Sequence, residues 1–490
     1  MAILGEGANS ASALYEVENS LKFEADNSEY LVRAQSQGNQ KIWTFSTWIK
    51  RSEICKSIHT YGIGGQSYQA LFGAGSASSD NNTQLSFYGD GSNNDYLVMY
   101  LDNGGSRYLH GVVAKAFKDT AAWYHIVWAL DTTQSTASDR SKVYVNGVLQ
   151  TLSSETDPVL NSSTRVSDNG GNIAIGSIGY APNLLLCGYL AETVFIDGSQ
   201  LTASNFGQTD SVTGIWKPKD VSGLSFGTRG FYLKYDNSSS LGADSSGNGN
   251  NFTATNISSA DQATTTPTNT FSTFEDKYWY QNSQVAAEAA FREGNTNFVT
   301  TRASWWRTGI GNMAVSNGKW YGEFTATSTY MVGVGAIDEL NGAVDSGPNT
   351  HLGGTGNGSI GYYSYNGRIY NSTTNYAWGS SFAAGDIISV ALDMDNGYVY
   401  FAKNGTWQNS GNPTSGSSGT GGVALVYPSN AHYMGMSAYD ANTTCRGNWG
   451  GYTTITVSSG NADADGYGNF EYAPPSGYYA LCSKNLAEYG

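Results

Sequence analysis

The feature that most constrains this chain occurs twice. Around "HIVWALDTT…KVYVNGV" an apolar strand ends in Ala129-Leu130-Asp131, a polar turn follows, and a second β run closes on Asn146-Gly147. Around "DIISVALDMDNGYVYFAKNGTW" (Asp386–Trp407) the order is the same, with Asp393 at the place of Asp131 and Asn404 at that of Asn146. Asn-Gly between β runs is the strongest short-range hairpin signal, because both turn residues tolerate positive φ. A strand apolar on both faces, as "WYHIVWALD" is, belongs inside a sandwich and not at a wetted sheet. The two copies therefore predict two antiparallel β-sandwiches built on a similar central unit. The 490 residues are long enough for both.

Local patterns agree. "WTFSTWIKR" places Trp43, Phe45, Thr47 and Ile49 on one face and Thr44, Ser46, Trp48 and Lys50 on the other. The chain has 61 glycines and 13% aromatic residues, a mixture that suits many short strands joined by tight turns. The stretch 284–291, "QVAAEAAF", reads as a short helix or a strand. Ser258–Thr273 is Thr/Ser-rich without an apolar period and reads as a linker. "GNPTSGSSGTGG" (Gly411–Gly422) reads as a surface loop.

Charge narrows the function. Only 13% of residues are charged, and the net charge is −15. There is no Lys/Arg run, which argues against nucleic acid and anionic membrane as partners. Cys55, Cys187, Cys445 and Cys482 stand far apart without zinc-site spacing and read as free buried thiols. The N-terminus lacks the basic and apolar regions of a secretory signal, and no apolar run approaches membrane-spanning length. A low-charge, aromatic surface without an export signal fits a protein made in a host cytoplasm and released by lysis.

Residues 21–257 resemble the laminin-G-like, concanavalin-A-like proteins of marine phage genomes, through "SLKFEADNSEYLVR", "WTFSTWIKRS", "CGYLAETVFIDGSQLTASNFGQTDSVTGIWKPK" and "GFYLKYDNSSSLGADSSGNGNNFT". Residues Asn317–Leu486 resemble the SPRY-like domains that follow in such proteins, through "VSNGKWYGEFTAT", "VGVGAID", "GNWGG" and "YAPPSGYYALC", and the SPRY-like sandwich is expected over 274–490. The resemblance implies an all-β protein of two jelly-roll-type sandwiches. It also implies a place on the virion surface, as a tail fibre, capsid fibre or decoration. Residues 1–20 then serve as a docking segment and 258–273 as the linker. The expected partners are other virion proteins and a host-surface glycan or receptor. A trimer suits fibre proteins, although no coiled-coil heptads are present. "DSSGNGNN" opens many laminin-G-like domains but comes late here. The strand around Gly230–Tyr235 should therefore pack near Leu21–Arg33.

The sequence offers residues for three chemistries. Glu24, Asp26 and Glu29 match the carboxylate spacing of retaining glycosidases on concanavalin-A-like sandwiches. Asp26-Asn27-Ser28 is turn chemistry, however, so Glu24 and Glu29 should fall on two strands of a solvated hairpin. With no nucleophile elbow or metal-ligand spacing elsewhere, the chain reads as a non-enzyme; a polysaccharide depolymerase is the less favoured alternative. Calcium is a secondary expectation, with Asp244, Asn248 and Asn250, and "DMDNG", as oxygen donors without EF-hand spacing. For ligand binding, two loops stand out. One offers Asp102, Asn103, Arg107 and Tyr108; the other, favoured, offers Tyr365, Arg368, Tyr376 and Trp378.

Overall fold

The structure is a computed structural model that describes residues 15–54, 67–75, 81–89, 95–113, 115–179, 183–275, 289–301, 303–336, 351–354, 358–372 and 374–490. It divides between Thr268 and Asn269 into two compact units, each an antiparallel β-sandwich apart from one short parallel pairing.

In the first unit, one sheet runs in the order Val148–Leu149, Ser141–Val145, Trp123–Asp131, Ile42–Arg51, Gly188–Asp197, Ser20–Phe23, Gln262–Ala263. The facing sheet runs Leu152–Thr156, Ser106–Val113, Asp95–Asn103, Asn82–Gly89, Ser67–Gly75, Asn172–Ile175, Tyr30–Ala34, Thr253–Thr255. Trp43, Phe45, Ile49, Ile126, Trp128 and Leu130 face Phe72, Leu85, Phe87, Leu97 and Met99 across a common core. The predicted alternation along Ile42–Arg51 holds, with Trp48 turned to the opposite side against Val17 and Ala191. The other face of Trp123–Asp131 is also covered. Val127 packs with Val194 and Ile196 of the same sheet, and Phe206, Phe226 and Tyr232 from the chain that follows cover them as a third layer. Phe231–Leu233 pairs with Thr193–Phe195, and the neighbouring stretch of the same strand pairs with Ser20–Phe23. Phe231 and Leu233 join Leu21 and Leu31 in the core, and Arg33 lies over the Phe231 ring at 5.7 Å, as the late "DSSGNGNN" required.

In the second unit, Lys319–Ala326 and Ile388–Asp393 lie at the centre of a nine-stranded sheet. It faces a six-stranded sheet ordered Arg307–Ile310, His432–Ala438, Tyr330–Ala336, Ser359–Tyr363, Arg368–Asn371, Thr374–Ala377. Trp320, Phe324, Val390 and Leu392 pack on Val332, Val334, Ile360 and Tyr362. Buried Glu323 accepts from the backbone N–H groups of Glu471 (2.9 Å) and Tyr472 (2.8 Å), which ties the C-terminal segment to the sheet.

The repeated unit folds the same way in both sandwiches. Asn146 and Asn404 sit at φ 48° and 46°, each followed by a glycine at positive φ. The Asn146 N–H donates to the His125 carbonyl, and its Oδ1 accepts from the His125 N–H at 2.7 Å. Asn404 makes the same pair of bonds to Ile387, the Oδ1 bond at 2.9 Å. Each turn is thereby clipped to the neighbouring strand.

Two expectations need correction, the solvated hairpin and the linker. Glu24 and Glu29 do not belong to a solvated hairpin. The turn forms as read, a 3-10 turn over Ala25–Asn27 with Ser28 left-handed at φ 56°. But Ser20–Phe23 and Tyr30–Ala34 belong to facing sheets, so the chain crosses the sandwich here, and both glutamates are buried at 1% and 2% exposure. Residues 258–273 are not a free linker. Ser259–Asp261 forms a turn, Gln262–Ala263 adds a strand to the first unit, and Phe271, Ser272 and Thr273 are buried in the second. Of the N-terminal segment, residues 1–14 lie outside the described residues; Tyr15 and Val17 pack onto the first unit, with Tyr15 Oη 2.9 Å from Tyr232 Oη. Of the stretch 284–291 the described part is strand Ala289–Arg292, and the described α-helix is Ser483–Tyr489, which the sequence reading missed. Cys187, Cys445 and Cys482 are free and buried; Cys55 lies outside the described residues.

Two stability predictions follow from these contacts. Asn404→Ala places alanine in a left-handed turn and removes one clip bond. It should lower unfolding free energy by about 2 kcal/mol in a denaturant titration. His125 is fully buried, stacked on Trp48 at 4.7 Å, with Nδ1 accepting from Trp216 Nε1 and Nε2 against Ser46 Oγ. Burial pushes its pKa down to about 3. The unfolded chain, with an ordinary pKa near 6.5, takes a proton that the folded chain refuses. This contribution is therefore complete above about pH 6.5 and is lost as pH falls toward 3. His125→Phe should flatten the melting-temperature slope between those limits relative to the parent.

Candidate functional site

The first-unit candidates sit on one hairpin, where Asn103 pairs with Ser106 around Gly104 and Gly105, both at positive φ. Asp102 and Arg107 are cross-strand neighbours and form a two-point ion pair, at 2.8 Å from Nε and 3.2 Å from Nη2. The guanidinium lies 4.3 Å from the Tyr100 ring centre, and the His110 ring stacks on the same tyrosine at 5.2 Å. Tyr100 Oη meets Tyr68 Oη at 3.3 Å. These contacts leave Tyr100 only 8% exposed. Asn103 accepts from Arg165 and donates to the Ser163 carbonyl. A register shift at Leu101/Asp102 turns Tyr108 toward the core. The cluster consolidates the outer face of the sheet, and its rings are occupied by each other.

The second-unit candidates divide. Arg368–Asn371 pairs with Thr374–Ala377, so Tyr376 stands opposite Ile369, on the core side of the sheet edge. Trp378 follows on that side and packs against Tyr362 at 5.3 Å and Phe401 at 5.8 Å. Tyr365 and Arg368 belong to the other face. Tyr365 occupies the turn between Ser359–Tyr363 and Arg368–Asn371 and is 77% exposed. Its ring lies 6.2 Å from that of Tyr363, which meets Tyr370 edge-on at 5.7 Å. Trp306 touches Tyr363 (5.6 Å), His351 (4.9 Å) and Tyr439 (5.3 Å). Arg368 donates from Nε to Asn375 Oδ1 at 2.8 Å and from Nη2 to the Asn375 carbonyl at 3.0 Å. The result is an aromatic shelf with one protruding ring and an Arg368–Asn375 rim. Burial pushes the Tyr363 hydroxyl up and the His351 imidazole down, so both are neutral near pH 7. Flat apolar rings edged by hydroxyl, guanidinium and amide groups suit a sugar ring.

Tyr363 and Tyr370 were readable from strand alternation within "YYSYNGRIY", since they share a face with Tyr365 and Arg368. Trp306, His351 and Tyr439 come from distant segments and carry no local signal.

The calcium candidates have another role. Asp244 Oδ1 accepts from the Tyr232 and Ser246 N–H groups, and Oδ2 accepts from Ser246 Oγ and the Asn250 N–H. Asn248 and Asn250 point their Nδ2 donors at the carbonyls of Gly227, Thr228 and Gly230. Together they staple this loop to the third layer. Asp393, first in "DMDNG", pairs with Lys319 at 3.0 Å. Glu24, Glu53 and Cys187 bring ligand-type atoms within 4.8 Å of one another in a buried position. The Cys187 thiol is pushed well up by burial and by both carboxylates, and it donates toward Glu24 Oε1 at 3.6 Å. Among the described residues, no helix is long and apolar enough to cross a membrane.

No curated protein matches the chain by sequence. Among solved structures, the SPRY domain of human HERC1 shares 17% identity over 32% of this chain and 91% of its own, with a TM-score of 0.25. A SAP-like pentraxin of Limulus polyphemus shares 16% over 38% and 80%, at 0.29. A candidate carbohydrate binding protein from Bacteroides ovatus shares 16% over 49% and 58%, at 0.33. Residues 301–430, which include Tyr363, Tyr365, Arg368 and Tyr370, match the family model of the SPRY domain.

Proposed function

We propose that the chain is a non-enzymatic binding protein of a phage virion surface that takes a host-surface glycan or receptor on the aromatic shelf of its SPRY unit. The observation that carries this reading is Tyr365, 77% exposed beside Tyr363 and Tyr370, with Arg368 and Asn375 at the rim. Of the carboxylates that best fitted glycosidase chemistry, Glu24 and Glu29 are buried while Asp26 is exposed, and Glu29 is engaged by Lys22, Asn27 and the Glu24 N–H, so the set supports no hydrolytic role. The virion setting rests on the resemblance of both units to phage surface proteins.

A structural decoration role has its own support in the first unit. Val148, Leu149, Val212 and Ile215 are 50–70% exposed, and Val148 and Leu149 form an edge strand. Apolar edges of this kind are suited to burial against another virion protein.

The test is binding of the full chain to a glycan array and to host cells. Tyr365→Ala should weaken binding about tenfold, roughly 1.4 kcal/mol for one stacked ring. Its unfolding free energy should stay within about 0.5 kcal/mol of the parent, as for an exposed residue. Unchanged binding in that variant, or no glycan or cell bound at all, would sink the reading.

A further inference from the structure

Three side chains of complementary chemistry meet at the two ends of the first sandwich's chain. Lys22 lies on Ser20–Phe23, and the antiparallel register Ser20↔Ala263, Leu21↔Gln262 brings Asp261 opposite it. Lys22 Nζ is 2.9 Å from Asp261 Oδ1 and 2.9 Å from Glu29 Oε1. The three side chains are 1%, 10% and 2% exposed respectively. Asp261 Oδ2 accepts from the Ser258 backbone N–H at 2.8 Å and from Ser258 Oγ at 3.2 Å. Glu29 is fixed by Asn27 Nδ2 at 2.9 Å and by the Glu24 N–H at 2.8 Å.

An amine, a carboxyl carbon and a second carboxyl group held together out of water are the parts of an amide-forming reaction. We infer that Lys22 and Asp261 condense spontaneously to an isopeptide bond, with Glu29 as the proton carrier and Ser258 as the donor to the developing oxyanion.

Glu29 takes a proton from Lys22 Nζ, which frees the amine as a nucleophile. Nζ adds to Asp261 Cγ, and the negative charge grows on Oδ2, where the two Ser258 donors already point. The intermediate collapses with loss of the Cγ–Oδ1 bond. Both protons that Nζ gives up end on Oδ1, which leaves as water, and Glu29 is regenerated. The ammonium and carboxylate charges cancel, and no oxidant or cofactor enters. Burial pushes Glu29 up to about 7, so near neutrality it exists in both protonation states, as a carrier must. Burial also removes the water that would favour the reverse hydrolysis and compete for the donors.

The bond would join the first strand of the sandwich to a strand near its end. Tension applied at the two ends of the unit would pass through the covalent link instead of peeling the outer strands apart. This inference stands apart from the ligand reading, because nothing in it involves the aromatic shelf.

Intact-mass spectrometry of the full chain under denaturing conditions decides it. The parent should be lighter than its sequence by one water. A tryptic digest should yield a branched peptide joining the Lys22 and Asp261 segments, without cleavage after Lys22. Lys22→Arg and Asp261→Ala should show the full sequence mass. Glu29→Gln, shown to be folded by circular dichroism, should do the same. A parent of unmodified mass with ordinary linear peptides at both positions overturns the inference, whatever the variants do. Loss of water retained in Glu29→Gln overturns the role of the glutamate. The cross-linked parent should also melt at a higher temperature than Asp261→Ala.

Discussion

A strand that is apolar on both faces must be covered twice, and the first unit is organised by that demand. Trp123–Asp131 turns Ile126, Trp128 and Leu130 into the space between the sheets, and Val127 outward. The outward side cannot be left to water at roughly 25 cal/mol per Å² of apolar surface. The chain after Gly188–Asp197 therefore folds back as a third layer, with Phe206, Phe226 and Tyr232 over Val127 and Trp216 over His125. The same need places a neutral imidazole between two indoles, since a charged one would be too costly to bury. It also explains why Asp244 and its neighbours are used as a loop staple: Tyr232 is part of the covering layer, and its N–H is held by Asp244 Oδ1.

How much of this could be read from the sequence depended on the range of the interaction. The Asn-Gly turns were legible because the whole motif, left-handed residue and clip to the preceding strand, lies within a few tens of residues. The alternation through Trp43, Phe45 and Ile49 was legible because burial on one face imposes a period of two. The turn at Ala25–Ser28 was also read correctly, but its consequence was not. Turn chemistry fixes where a chain bends. Whether the next strand pairs beside the last or crosses to the facing sheet is settled by partners such as Asn172–Ile175, far along the chain. Thr-rich Ser258–Thr273 misled for a related reason: a polar stretch can still supply a paired strand, as Gln262–Ala263 does with Ser20–Leu21.

The candidate binding residues show the same limit at the level of single side chains. Tyr365, Arg368, Tyr376 and Trp378 were grouped by proximity in sequence, yet they are sorted by strand register. Ile369 points into the core, so its cross-strand neighbour Tyr376 must share that side, and Arg368 and Tyr370 must take the other. The shelf is completed by Trp306, His351 and Tyr439, which only the topology of the six-stranded sheet brings to the same end. On the first unit, Asp102 and Arg107 do meet, but they satisfy each other and lie on Tyr100. A charged pair that neutralises itself over a buried ring consolidates a surface more than it recruits a ligand.

Glu24 and Glu29 show the same limit most sharply. Paired glutamates near the edge of a concanavalin-A-like sheet are compatible with catalysis on a sugar, with a metal site, or with structure, and spacing alone does not separate these. Burial does. A glycosidase needs its carboxylates open to substrate, whereas Glu29 is enclosed and bonded to the Glu24 N–H, and Glu24 sits against a protonated thiol. What remains available to Glu29 is proton exchange with groups inside the protein, and Lys22 and Asp261 supply an amine and a carboxyl group beside it. The residues that resembled an enzyme's active site are thus placed to act on the chain that contains them.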